Sequence, residues 1–160
     1  MENNKALHEH LEKLLVGGDA HATFAQAVAD FPAELRGKTP KWAEHSPWQL
    51  LEHLRIAQWD ILEFSTNPKY KERKWPQEYW PETAAPPDAK AWNRSMHGFC
   101  EDQKALCALI KDEKIDLFAK IPHGNGQTIL REILVVADHN AYHIGQLVLL
   151  RRELGAWSAK

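Results

Sequence analysis

Cysteine is scarce in this chain: the only two in 160 residues are Cys100 and Cys107. Seven residues apart on a predicted helix, their Cα atoms stand roughly 10 Å from one another, beyond disulfide reach. Both are expected to be reduced and to pack in the core, where free cysteine is common. An excess of charge of one sign is also missing, since 20 Lys+Arg stand against 22 Asp+Glu for a net charge of -2. No strong basic face is implied, so nucleic acid is a poor partner for it. Long apolar runs are absent at the start, where Met1-Glu2-Asn3-Asn4-Lys5 is polar. Neither a signal peptide nor a membrane span is visible, and the expected location is the cytoplasm. No segment alternates as a strand, and no internal repeat occurs.

What is present is the composition of one ordinary globular domain over 1–160, 44% hydrophobic and 26% charged, long enough to bury a real core. Helical periodicity dominates. A first stretch carries Leu7, Leu11, Leu14 and Leu15 and meets Gly17-Gly18, after which Asp19 is placed to cap a restart through Phe24, Val28 and Phe31. Pro32 to Pro40 reads as a connection. Ser46 then caps a helix with Pro47 at its first position, running through Leu50, Leu51, Leu54, Ile61 and Phe64 until Asn67-Pro68. Lys69 to Pro87 is charged, aromatic and proline-rich, a connection of a length that is often functional. Asp88 is placed to begin the next helix, through Trp92, Phe99, Leu106 and Ile110. Thr128 caps the last, which runs through Val136, Leu147 and Leu150 to Gly155. Four amphipathic helices without strands predict an all-α antiparallel bundle.

Histidine is abundant, with nine in the chain. At that density an i,i+4 pair such as His139 and His143 arises by chance about half a time per chain, so spacing alone is weak. Position strengthens it. The pair shares one helix face, and His143 lies on the apolar stripe between Val136 and Leu150. An unpartnered imidazole there costs on the order of 1–3 kcal/mol. His53 repeats the situation among Leu50, Ile56 and Ala57. One inward histidine is more often a hydrogen-bonded core residue than a ligand. Three on two facing helices point instead to a divalent metal with an open position, the arrangement of catalytic sites. That position could hold water or ionise a bound thiol.

Around the three ligands, Asp60 falls seven residues after His53 on the same face and is a candidate catalytic base or substrate contact. Gln146 is placed to bond a ligand from behind, and the Trp75 to Trp80 stretch is placed to cap the cavity. His8, His10, His21, His45, His97 and His123 are expected to serve solvent or packing roles.

The segments His45-Ser46-Pro47-Trp48-Gln49-Leu50-Leu51-Glu52-His53, Trp59-Asp60-Ile61-Leu62 and His139-Asn140-Ala141-Tyr142-His143-Ile144-Gly145-Gln146-Leu147 carry a resemblance. From about Gly17 to Leu154 the chain resembles the DinB/YfiT-like family, damage-inducible metal-binding bundles distinct from the DNA polymerase of similar name. The resemblance implies a DinB-like up-down-down-up four-helix bundle, a divalent metal such as zinc or nickel on His53, His139 and His143, and a homodimer. Relatives include transferases and isomerases that use low-molecular-weight thiols, and members without known activity. Three functions are therefore open: a metal-dependent transferase joining a small-molecule thiol to an electrophile, a non-catalytic stress-related metal-binding protein, and a metal-dependent hydrolase with Asp60 as base. No cluster of Arg and Lys beside the ligands is evident to hold a thiol's carboxylates.

Overall fold

The fold is given by a computed structural model that describes residues 2–157; Met1 of the polar amino terminus and residues 158–160 lie outside it. The described residues form five α-helices, α1 (Glu2–Val16), α2 (Phe24–Val28), α3 (Pro47–Thr66), α4 (Ala91–Lys111) and α5 (Ile129–Glu153), with one 3-10 turn at Ala33–Leu35. The protein is all-helical. No strand occurs among the described residues, where an isolated bridge between Lys120 and Thr128 is the sole β-type pairing.

Local chemistry sets most helix ends. At α3 the Ser46 hydroxyl accepts from the Gln49 amide while the Gln49 side chain accepts from the Ser46 amide, with Pro47 at the first position. This reciprocal cap satisfies two donors that a helix start leaves without partners. Thr128 caps α5 by accepting from the Arg131 amide. Two expected starts are corrected. The restart after the glycine pair is capped by Thr23 with Gln26, not by Asp19, and it ends at Val28, before Phe31. The α4 helix starts at Ala91 and not at Asp88. The Asp88 carboxylate accepts from the Lys90 amide at 2.8 Å and pairs with Arg94 at 2.7 Å, so it closes its own turn ahead of the helix.

Each of α1 and α3 packs against both α4 and α5, while α2 packs on α5. Two buried clusters result. One joins Phe24, Phe31, Leu51, Leu54, Trp92, Phe99, Leu147 and Leu150; the other joins Leu11, Leu15, Leu106, Ile110, Ile133 and Val136. Cys100 and Cys107 are free thiols, half-buried at the margins of these clusters. By length and composition α5 is apolar enough to cross a membrane, but half of its apolar window is buried within the protein, as expected of a helix contacted by α1, α2 and α3.

A chain of buried amides fixes how the helices meet. The Gln58 side chain of α3 donates to the Phe99 carbonyl of α4 at 2.7 Å, and the Asn140 side chain of α5 donates to the Gln58 oxygen at 2.9 Å. Buried polar groups are costly unless paired, so this bridge favours one register of α3 against α5. Asn140 follows His139, and Gln58 lies five residues after His53. The bridge therefore sets the alignment of the histidines.

Candidate metal centre

His53 on α3 and His139 and His143 on α5 place one ring nitrogen each within 4.8 Å of one another. The His53 and His139 Nε2 atoms are 3.0 Å apart. His53 is 1% exposed and His143 9%. On the far side of its ring, His53 Nδ1 lies 2.9 Å from the Tyr79 carbonyl oxygen. A carbonyl oxygen can only accept, so Nδ1 carries the proton and the Nε2 lone pair faces the cluster. His143 Nδ1 lies 2.7 Å from Gln146 Oε1, which gives that ring the same polarity and bears out the expectation for Gln146. His139 Nδ1 is buried without a partner.

Burial favours the neutral form of all three rings. It is the leading cause that lowers His53 to about 4, with the neighbouring histidines adding to it against the Tyr79 bond. His139 is likewise lowered to about 4, by burial first and His143 second. His143 is lowered by burial, opposed by Gln146. Neutral imidazole is the form that ligates, so these rings need not shed a proton near pH 7. The donor set is all nitrogen, which suits a borderline ion rather than magnesium or calcium. The three residues therefore fit a divalent metal, and the cluster could hold one.

The long connection 67–90 closes over the site. Trp80 lies flat on the His53 ring, with centroids 3.8 Å apart and planes 4° apart. His45 stacks on Trp80 at 3.7 Å. Trp75 and Tyr142 are exposed at the rim, Trp75 6.4 Å from His53 and Tyr142 4.8 Å from His143 by ring centroid. Asp60 is buried and accepts hydrogen bonds from the Tyr79 hydroxyl at 2.6 Å and from the Tyr70 hydroxyl at 3.1 and 3.2 Å. The connection is pinned again where the Ser46 hydroxyl donates to the Ala84 carbonyl.

A family model described as the DinB superfamily matches residues 19–147, a span that includes all three histidines. The chain belongs to the DinB superfamily. No curated protein and no solved structure matches it.

In this DinB-superfamily chain the other histidines divide. His21 Nδ1 bonds the neighbouring Ala22 carbonyl, and His123 Nε2 bonds the Phe64 carbonyl from the 112–128 connection. His45, expected to serve a solvent or packing role, stacks on Trp80 beside the histidine cluster. The reciprocal cap at Ser46 holds it there, one residue before the cap and two before the helix begins. Gln58 was legible by the same test that singles out His53, because its neighbours Leu54 and Ile61 at helical spacing are apolar. Tyr79 carried no comparable signal.

Proposed function

We propose that this DinB-superfamily chain holds one divalent metal ion, zinc or nickel, on His53, His139 and His143, and acts as a transferase joining a low-molecular-weight thiol to an electrophile. The observation that carries the reading is the convergence of three neutral imidazoles, two buried and one half-buried, with His53 and His143 oriented by oxygen acceptors behind the ring. When bound, the ion supplies Lewis acidity that lowers the pKa of a thiol at the open position. The chain's own residues do the rest. Tyr79 and Gln146 fix which nitrogen faces the centre, and Trp80 keeps water from the His53 ring. The exposed ring of Trp75 offers apolar surface beside the ligands for the electrophile.

A second reading, a non-catalytic stress-related metal-binding protein, draws support from the burial of His53 and from ligands that span α3 and α5, where an ion would staple two helices. Hydrolysis ranks lower. It needs Asp60 as base, and both oxygens of that carboxylate already accept from tyrosines. Conjugation of a thiol to an electrophile, assayed with zinc-loaded and metal-free protein, tests the main reading. Turnover that requires metal supports it. Turnover that persists without metal removes the mechanism, and no turnover with any thiol leaves the binding protein ahead.

The four long helices are proposed to follow the up-down-down-up order. Its parallel middle pair, α3 and α4, needs a long crossover, and 67–90 provides one. A homodimer is proposed as well. The outer face of α5 carries Val135, Tyr142 and Leu149 at seven-residue spacing, all exposed, with the small Gly145 alongside. Antiparallel pairing of two α5 helices about Tyr142 sets Val135 against Leu149. The same pairing brings Arg131 opposite Glu153, which matches their charges.

A further inference from the structure

Asp60 lies two turns after His53 on α3 and is 6% exposed. Its oxygens face the connection that covers the site. Oδ2 accepts from the Tyr79 hydroxyl at 2.6 Å, and the Tyr70 hydroxyl is 3.1 Å from Oδ1 and 3.2 Å from Oδ2. Tyr79 in turn presents its main-chain carbonyl to His53 Nδ1 at 2.9 Å. One residue thus links a buried carboxylate, through its phenol, to a candidate ligand, through its backbone. The following residue, Trp80, covers the same imidazole face. Where the connection sits at Tyr79 therefore determines both the tautomer and the tilt of His53.

We propose that Asp60 is a positioning residue for His53, acting through Tyr79, and that it does not touch the reacting atoms. The proposal rests on the reading of His53 as a metal ligand. A charge-assisted bond from phenol to carboxylate is stronger than a neutral one, and two phenols on one carboxylate leave little freedom to the connection. Both phenols stay protonated donors well beyond neutral pH. Burial and then Asp60 push Tyr70 up to about 12, and burial and Asp60 raise Tyr79 as well. Partners behind a metal-bound imidazole fix its orientation, and their loss typically lowers metal affinity about 10- to 100-fold.

The test uses the whole protein as wild type, Asp60→Asn, Tyr79→Phe and the double variant. Tyr79→Phe keeps the carbonyl that His53 uses and removes only the hydroxyl. Being half-buried, it also breaks the same bond should Asp60→Asn fail to fold. Nitrogen NMR of the histidine rings in metal-free protein is expected to show His53 as a single Nδ1–H tautomer in the wild type. Mixed tautomers are expected at His53 in the variants, with His143, held by Gln146, unchanged. Zinc affinity is expected to fall about 10- to 100-fold in each single variant, and the double variant is expected to bind no more weakly than Asp60→Asn, because Tyr79→Phe removes a bond that Asp60→Asn already weakens. Wild-type zinc affinity and His53 signals in Tyr79→Phe overturn the proposal, as do additive losses or equal changes at His143. Wild-type protein that binds no zinc sinks the ligand reading instead, and the metal-free His53 spectrum still decides the positioning role.

Discussion

Three imidazoles held neutral inside a helical protein carry a cost that depends on pH. His53 and His139 sit near 4 in the folded chain against 6.5 for the free side chain. Between those values the unfolded chain takes up protons that the folded chain refuses, so stability falls as the pH drops through this window. Above 6.5 both states are neutral and the effect vanishes; below 4 both are protonated and no further loss accrues from these groups. Metal-free protein is therefore expected to be less stable to urea at pH 5 than at pH 7. The dependence should be shallower in His53→Gln. Equal stability at the two values with the wild-type chain would mean that the rings are not held neutral by burial. The same depressed values extend metal binding to more acid solution than three exposed histidines allow, because fewer protons compete for the nitrogens.

Among the elements, α3 does the most to build the site. It contributes His53, the Asp60 anchor and Gln58, and its capped start places His45 beside Trp80. Replacing Gln58 by Leu leaves the Asn140 amide buried without its partner and removes the bond to the Phe99 carbonyl. Such a loss costs about 2 kcal/mol, measurable as a lower urea midpoint with an unchanged slope. An unaltered midpoint would show that the bridge does not hold the register. The helix ends show how far local sequence reaches. Ser46, Pro47 and Thr128 were legible because their partners lie within three residues. Thr23 with Gln26 carries the same pattern, but Asp19 after two glycines was read as the cap, and the residues between bend instead of forming helix. Asp88 was misread because its carboxylate serves Lys90 and Arg94. Both alternatives are local.

For the whole molecule, the periodicity of the apolar residues was enough for the all-helical class, and inward histidines at positions flanked by Leu, Ile and Val were enough for the cluster. Of the covering connection, the length and the capping place of Trp75 to Trp80 were legible, while its individual contacts were not. Its contacts join Ser46 to Ala84, Asp60 to Tyr79 and His53 to Trp80, pairs that only the folded chain brings together. Assembly belongs to this scale. The exposed Val135, Tyr142 and Leu149 face of α5 predicts a dimer of twice the 18.4 kDa chain mass by light scattering. Leu149→Lys, remote from the ligands, is expected to give a monomer that still binds metal; a wild-type chain that remains monomeric at high concentration removes the proposed interface.

The central claim is that one divalent ion sits on His53, His139 and His143, and the most direct measurement is metal content by elemental analysis, with circular dichroism on the same samples. One ion per chain is expected in the wild type, with occupancy lost in His139→Ala and His143→Ala while both stay mostly helical, since apolar packing rather than the ion forms the helices. Full occupancy in both variants would contradict the ligand assignment.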